Sequence, residues 1–187
     1  TLSRHAGRQG LLDSLASLVR ELAGYERVMV YRFDEDWNGS VVAESLADGA
    51  TSYAGHHFPA SDIPAQVRHI YHLARVRDIP DATAAAVPLV TASVRVDDSP
   101  LDLSPGMLRA AAPIHVRYLA NMGVVASMSI ALHLEGRLWG LLACHATRPN
   151  VLSPALRDAL AALVQTASVQ LELIQAREEA MLVHRAN

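Results

Sequence analysis

Lysine is absent from this 187-residue chain, and all sixteen of its basic residues are arginine. The formal net charge is -3, which argues against non-specific nucleic-acid binding, because such binding depends on a basic surface. The single cysteine, Cys144, excludes an internal disulfide framework and a cysteine-rich zinc site. No apolar run approaches the roughly 18 residues of a membrane span, and residues 1–10 contain no signal-peptide core. We therefore expect a cytoplasmic domain that binds neither nucleic acid nor membrane.

Common enzyme signatures are also missing. The sequence contains no glycine-rich phosphate loop, no His-Glu-x-x-His and no Gly-x-Ser-x-Gly. Cys144 and His145 are neighbours on a predicted strand, where successive side chains point to opposite faces, so they cannot easily form a nucleophile–base pair. We expect a domain without catalytic activity of its own.

Helical and extended segments alternate along the first part of the chain. Apolar residues between Leu11 and Leu22 recur at helical spacing, and Gly24 is a natural end for that helix. Residues 27–33 and 41–46 are rich in β-forming side chains and flank a polar turn, which predicts a hairpin.

The middle of the chain is less regular. Residues 48–61 are predicted to be loop, and Ser61 or Asp62 is predicted to cap a helix over 65–75. Residues 78–106 contain four prolines and only short apolar runs. A segment of this length without regular structure usually has a function or an unusual topology.

The last part of the chain predicts a short helix, a second hairpin and a long helix. Pro113 and Gly123 bound the short helix. Residues 124–134 and 137–146 are two β-like runs joined by a tight Glu135-Gly136 turn.

A long helical pattern begins at Ser153, which is predicted to cap it. The order of elements is typical of an α+β domain in which helices pack on a central antiparallel sheet. The terminal helices carry more leucine and alanine than one sheet face can cover, which favours a homodimer through these helices.

Histidines are ambiguous when they are taken singly. His56 and His57 lie in a predicted loop, and His69 and His72 lie three apart on a predicted helix. Both pairs suggest a metal site, but each is more simply a solvent-facing pair. His115 has apolar neighbours and by itself favours a hydrogen-bonded core histidine.

Arginines and serines leave similar alternatives open. Arg77 and Arg109 flank apolar stretches, and each is either a surface residue or the partner of a nearby acid. Ser127 and Ser129 lie on one face of a predicted strand, which is either the wall of a polar pocket or the solvent side of the sheet.

Four longer strings are more specific than any single residue. They are PASDIPAQVR (59–68), VMVYRFDEDWNGSVVAES (28–45), PLDLSPGMLRAAAPIHVRYLANMGVVASMSIAL (100–132) and LWGLLACHA (138–146). In this order, and over nearly the whole chain, they resemble the chromophore-binding GAF domain of phytochromes, and in particular that of bacteriophytochromes.

The resemblance implies a GAF fold, with helices on one side of the sheet and a bilin tetrapyrrole pocket on the other. It divides the chain into a GAF domain with its N-terminal helix over 1–152 and a C-terminal signalling and dimerisation helix over 153–187. Residues 78–106 would correspond to the lasso that forms the family's knot with the segment preceding the GAF domain.

The resemblance also implies roles for individual residues. Asp62 resembles the aspartate near the central pyrroles, and His115 resembles the histidine near the pyrrole nitrogens. Arg77 and Arg109 resemble two arginines that hold the propionates, and a guanidinium group matches a carboxylate bidentately. His145 resembles the histidine that contacts the carbonyl of the last ring.

The remaining implied site residues complete the pocket. Ser127 and Ser129 would donate hydroxyl hydrogen bonds to a propionate, and Ile63 belongs to the same string as Asp62. The aromatic cage around the last ring would consist of Tyr31, Tyr53, Phe58 and Tyr118.

By this resemblance the chain senses red or far-red light with biliverdin or a related bilin. Isomerisation of the bilin would be relayed through the C-terminal helix to an output domain such as a histidine kinase. Ile114 stands where plant and cyanobacterial members carry the attachment cysteine, and the upstream PAS segment that carries it in bacteriophytochromes is missing. We therefore expect a bilin that is not covalently attached within this fragment.

The main alternative is a bilin-free GAF module that dimerises and relays signals in a sensor kinase. Haem bound through His115 or His145 fits less well, because the pocket resembles that of an open-chain tetrapyrrole. Cyclic-nucleotide binding also fits less well, because no Asn-Lys-x-Asp-like string is present.

Overall fold

The fold is a six-stranded antiparallel sheet with helices packed on it. A computed structural model describes residues 7–90 and 101–186. The helices are α1 (Arg8–Ala23), α2 (Ala65–Leu73), α3 (Pro113–Asn121) and α4 (Pro154–Ala186). The strands are β1 (Arg27–Phe33), β2 (Gly39–Leu46), β3 (His57–Phe58), β4 (Val76–Ile79), β5 (Ala126–Leu134) and β6 (Arg137–Ala146), in the sheet order β3-β2-β1-β6-β5-β4. The predicted α+β class, with its antiparallel sheet and long C-terminal helix, is confirmed.

Helices α1 and α4 form a layer over one face of the sheet. Their apolar side chains recur every three or four residues, so each helix presents a buried stripe to the strands. The stripe of α1 comprises Leu11, Leu12, Leu15, Ala16, Val19 and Ala23. The stripe of α4 comprises Leu160, Val164, Ala167 and Leu171. Both stripes share one hydrophobic core with strand residues such as Val28, Met128 and Cys144.

Local signals position the ends of these elements as predicted. Gly24 ends α1 in the left-handed conformation, with a φ of 69°. The Oγ of Ser153 accepts a hydrogen bond from the Leu156 N–H at 3.2 Å and so caps α4. Glu135 and Gly136, with φ of 49° and 75°, form the tight turn between β5 and β6.

The start of α2 differs from the prediction. Pro64 precedes its first residue, and no side chain caps it, so the predicted cap by Ser61 or Asp62 is wrong. Asp62 instead ends a separate 3-10 turn. The helix ends at Leu73 rather than at residue 75, because the chain straightens there to enter β4.

Two short strands were missed. Strand β3 lies inside the predicted loop 48–61 and pairs with β2, and β4 includes the start of the segment 78–106 and pairs with β5. Strands of two and four residues are too short to show a periodicity. The described remainder of 78–106 contains neither helix nor strand, and residues 91–100 of it lie outside the described residues.

Helix α4 is 33 residues long. By length and composition alone it is long and apolar enough to cross a membrane. This corrects the expectation that no segment of the chain approaches the length and hydropathy of a membrane span. One such helix is weak evidence for a span, because a helix packed on a protein core passes the same test. Four of its residues, between Leu160 and Leu171, are buried in the core of this domain.

Candidate functional site

The face of the sheet opposite α1 and α4 carries the residues of the predicted site. Side chains alternate along β6, so Cys144 enters the core under the helices while His145 points to the opposite face. In β5, Met128 joins the same core, and Ser127 and Ser129 face away from it. We call this second face the cleft face, and α2 and α3 lie along it. The predicted separation of Cys144 from His145 is confirmed.

Two arginines and a histidine gather at one end of the cleft face. Arg77 on β4 is in register with Ser129 on β5, and its Nη1 donates to the Ser104 carbonyl oxygen at 2.5 Å. Arg109 lies close enough to Arg77 for their charges to interact: burial, and then the Arg77 charge, lower the pKa of Arg109. Desolvation of the ring, and then the charges of Arg109 and Arg77, lower the pKa of His115 on α3. We call this group the cationic end.

The arginines of the cationic end have no ion-pair partner among the described residues. In the ranges 7–90 and 101–186, neither Arg77 nor Arg109 forms an ion pair with a carboxylate. The acid next in sequence, Asp78, points to the other face and pairs with Arg157 at 3.3 Å. Two partly buried guanidinium groups without a carboxylate partner are typical of an anion site.

Hydroxyl groups line the sheet beside these cations. The Tyr71 hydroxyl from α2 is hydrogen-bonded to Ser129 Oγ at 2.8 Å, and burial raises the pKa of Tyr71. Ser127 is only 8% exposed and lies opposite His145 in the β5–β6 pair. The two serines therefore do not lie on a solvent-facing sheet surface.

Aromatic side chains line the other end of the cleft face. Tyr31 and Phe33 on β1 pack edge to face, with ring centroids 5.3 Å apart. The Tyr31 ring lies 5.8 Å from that of Phe58, which in turn lies 6.4 Å from that of Tyr53. We call this group the aromatic end, and it brings three predicted cage residues together.

Helix α3 places Tyr118 between the two ends. Its ring stacks on His115, with centroids 6.2 Å apart and planes within 11°. Burial, and then the charges of Asp62 and Tyr53, raise the pKa of Tyr118. Burial, and then the Asp62 charge, also raise the pKa of Tyr31 to about 12. The exposed carboxylate of Asp62 thus lies within electrostatic reach of both tyrosines.

The segment that carries Asp62 and Ile63 is held against the aromatic end. The Arg68 guanidinium lies 4.5 Å from the centroid of the Trp37 ring, and its Nη1 donates to the Ile63 carbonyl oxygen at 2.6 Å. Ile63 is half-buried and packs against the cluster that contains Tyr31. Both predicted residues of this string therefore border the cleft.

A buried arginine that sequence analysis missed contacts His145. Arg27 is 7% exposed, and its Nη2 lies 3.3 Å from His145 Nδ1. Its Nη1 donates to the Thr51 carbonyl oxygen at 2.8 Å, and its guanidinium carbon lies 4.3 Å from the centroid of the Tyr53 ring. Burial, and then the Arg27 charge, lower the pKa of His145 to about 3. The one available signal was a charged residue at the start of an apolar strand, and such a residue is ordinarily exposed to solvent.

A cavity of about 380 Å³ adjoins Arg27 and His145. Its other walls are residues 47–51, the turn at 122–124 and the end of β6. His145 is therefore a buried side chain that lines an open volume.

The cleft is suited to a long, flat and acidic molecule. Guanidinium groups bind carboxylates, and aromatic walls bind flat conjugated rings. The two histidine pairs outside this set are exposed, as predicted; they are His56, His57, His69 and His72. Within the part of the chain that the structure describes, no group of three or more His, Cys, Asp or Glu side chains is arranged to hold a metal ion.

Comparisons with known proteins agree with this geometry. The sequence profile of the GAF domain matches residues 7–173. The cyanobacterial phytochrome B of Nostoc sp. is 46% identical over 88% of the chain, and the bacteriophytochrome of Xanthomonas campestris is 40% identical over 90% of it. The chain spans only 22% and 26% of the lengths of these two relatives.

Solved structures show the same fold. The chromophore-binding domain of a bacteriophytochrome from R. palustris has a TM-score of 0.90 and 38% identity, over 95% of this chain and 58% of that one. The chromophore-binding domain of Stigmatella aurantiaca phytochrome P1 has a TM-score of 0.85 and 41% identity, over 90% of this chain and 55% of that one. The resemblance predicted from the four sequence strings is confirmed.

Proposed function

The chain belongs to the GAF domain family, and from this premise we propose that its cleft binds a bilin and senses red or far-red light. The similar proteins are phytochromes, and the similar structures are chromophore-binding domains of phytochromes. The proposed ligand is biliverdin or a related open-chain tetrapyrrole. The domain itself is proposed to be a sensor without catalytic activity.

The observation that carries this proposal is the pairing of a cationic end with an aromatic end on one sheet face. A bilin carries two propionate carboxylates on a flat conjugated system. Arg77 and Arg109 would hold the propionates, because a guanidinium group donates two parallel hydrogen bonds to a carboxylate. Ser127 and Ser129, on the same wall, would add hydroxyl donors.

The aromatic end suits the opposite part of the same molecule. Ring surfaces of Tyr31, Tyr53 and Phe58 would contact it there, and Tyr118, between the two ends, would add a fourth. His145 would donate a hydrogen bond to the carbonyl of the last ring, and Asp62 and His115 would face the pyrrole nitrogens. When bound, the bilin supplies light absorption and isomerisation of a double bond. The side chains of this domain orient it and exclude water.

We infer that the bilin is held without a covalent bond in this chain. Cys144 is completely buried on the helix side of the sheet, so the sheet separates its thiol from the cleft. Ile114, which is 77% exposed at the start of α3, carries no nucleophile. Affinity must then come from the arginines and the aromatic surface.

Signal output is proposed to pass through α4. From Val169 onward it presents exposed apolar side chains, namely Val169, Leu173, Met181, Leu182 and Val183. An apolar helix surface of this kind suits a second copy of the chain in a symmetric dimer. In this proposal residues 1–152 sense the ligand, residues 153–187 dimerise and relay, and an output domain such as a histidine kinase receives the change.

A bilin-free relay module is the alternative, and the lack of a reactive cysteine in the cleft favours it. Titration of the purified chain with biliverdin, followed by absorbance, separates the two functions. A sharpened red band that disappears when the protein is denatured in acid is expected for a non-covalent bilin site. A folded chain that gives only the broad spectrum of free biliverdin would favour the relay module.

The arginine variants test the same proposal at the level of single contacts. Each charge-assisted hydrogen bond contributes about 1.5–3 kcal/mol, so Arg77→Met combined with Arg109→Met is expected to weaken biliverdin binding at least ~10-fold. Arg32→Met is the matched control, because Arg32 is exposed on β1. Equal affinities of the double variant and the control would refute the carboxylate role of the cationic end.

A further inference from the structure

We propose that Arg27 is a positioning residue of the cleft, whose buried guanidinium holds His145 as the neutral tautomer protonated on Nε2 and fixes the Tyr53 ring beside it. The geometry within the chain carries this inference. Its consequence, a hydrogen-bond donor presented to a ligand carbonyl, rests on the proposed bilin function.

The tautomer follows from the contact between the two side chains. A guanidinium group can only donate hydrogen bonds, and it keeps its protons in proteins. Arg27 Nη2 lies 3.3 Å from His145 Nδ1, so Nδ1 must be the acceptor and carry no proton. A neutral imidazole has one protonated nitrogen, which leaves Nε2 as the donor of the His145 ring.

The position of the guanidinium is itself fixed by two further contacts. Its Nη1 donates to the Thr51 carbonyl oxygen at 2.8 Å, and its central carbon lies 4.3 Å from the centroid of the Tyr53 ring. Its Nε is buried without a partner among the described residues. The hydrogen bonds to Thr51 and His145 are therefore the ones that satisfy this buried cation. If the guanidinium moved away from His145, it would lose one of these two bonds.

The two cationic groups nearest His145 both favour the neutral ring. Arg27 approaches it from β1, and His115 approaches it from α3. Two carboxylates line the adjoining cavity, those of Glu26 and Asp48. Glu26 accepts hydrogen bonds from the Thr147 N–H and hydroxyl at 3.1 and 2.9 Å, and Asp48 is exposed. The charges that shift the pKa of His145 are those of Arg27 and His115, and neither carboxylate is among them.

Nitrogen NMR of the ¹⁵N-histidine-labelled chain, without pigment, tests the inference directly. The His145 signals are assigned by their loss in His145→Gln. In the unaltered chain we expect Nδ1 to be unprotonated and Nε2 protonated, with no titration between pH 5 and 9. A protonated Nδ1 would overturn the inference, and this measurement needs no Arg27 variant to fold.

Arg27→Met provides the second arm of the test. Loss of the donor and of the charge is expected to mix the two tautomers and to raise the half-titration pH of His145 by on the order of one pH unit. Arg27→Lys keeps the positive charge but lacks the planar guanidinium group, and it is expected to restore the neutral state of His145 in part. Arg32→Met is the control and should leave the His145 signals unchanged. Signals in Arg27→Met identical to those of the unaltered chain would overturn the inference.

Biliverdin added to the same samples separates this inference from the proposed function. If the unaltered chain shows the Nε2–H tautomer but binds no biliverdin, the function fails and the positioning role of Arg27 stands. If biliverdin binds while Nδ1 carries the proton, the function stands and the positioning role fails. If both hold, biliverdin is expected to shift the His145 Nε2 signal more than the Nδ1 signal.

Discussion

Gly39 on β2 makes room for the ring of Tyr31. A Cβ at Gly39 would lie 1.7 Å from Tyr31 Cζ and 1.8 Å from its hydroxyl oxygen. Non-bonded carbon atoms prefer separations of about 3.5 Å, so Gly39→Ala would force the ring to move by roughly 2 Å. Tyr31 is only 8% exposed and packs on Phe33 and Phe58. The displacement would therefore disrupt the aromatic end.

The expected cost follows from overpacking a buried site. Such changes typically destabilise by about 1–3 kcal/mol, and we expect Gly39→Ala to lower the free energy of unfolding by this amount. In a Tyr31→Ala background the obstructing ring is gone. There Gly39→Ala is expected to be neutral or to stabilise by about 0.5–1 kcal/mol, because alanine loses less backbone entropy than glycine in a strand. The double-mutant cycle should thus show a coupling of at least ~1 kcal/mol.

Urea unfolding of the four chains of this cycle, followed by circular dichroism, measures the coupling. Gly140→Ala is the comparison variant, since a Cβ at Gly140 would lie 2.3 Å from the backbone carbonyl oxygen of Tyr31. Truncation of the Tyr31 side chain cannot relieve a clash with its backbone, so Gly140→Ala should cost the same in both backgrounds. An equal cost of Gly39→Ala in both backgrounds would refute the steric reasoning.

Three further predictions concern the helix side of the sheet. Burial raises the pKa of Asp78, although the charge of Arg157 opposes the shift. The carboxyl of Asp78 therefore contributes to the free energy of unfolding below its unfolded-state pKa. That contribution is lost as the pH rises through its folded-state pKa. Arg157→Met removes the opposing charge and should increase that loss of unfolding free energy, measured by urea titrations at increasing pH. An unchanged pH dependence of the unfolding free energy would contradict this account of Asp78. Burial also raises the pKa of Cys144, so mass spectrometry should find no thiol modification of the folded chain, and rapid labelling would count against a buried thiol. Ser153→Ala removes the cap of α4 and should lower the free energy of unfolding by about 1 kcal/mol, whereas an unchanged urea midpoint would show that the cap is dispensable.

The fold could be predicted where elements are long and strongly periodic. The repeat of leucines in α1, the two hairpins and the Ser153 start of α4 are local signals that tertiary contacts reinforce. Strands β3 and β4 could not be predicted, because edge strands of two and four residues form on a ladder that their neighbours provide. The predicted cap of α2 failed because Pro64, rather than a polar side chain, precedes its first turn.

The site could be predicted only in part for a different reason. Arg77, Arg109 and His115 come from separate elements, and their spacing in sequence does not show that they meet. The family strings supplied that information, and the charge interactions at the cationic end agree with it. Arg27 was missed because its burial depends on the Thr51 carbonyl and the Tyr53 ring. A sequence pattern assigns such a charge to solvent unless the packing around it is known.

The alternation of side chains along β4 connects the cleft face to α4. Arg77 points into the cationic end, and the next residue, Asp78, points to the other face and pairs with Arg157 in the first turns of α4. Strand β4 is an edge strand of the sheet as described and is bonded to β5 alone, so it can move with less disruption of the ladder than a central strand. A ligand whose carboxylate holds Arg77 therefore acts on a short segment that α4 also holds. If β4 has two positions, such a ligand can shift the equilibrium between them by no more than the difference in its interaction free energy with the two.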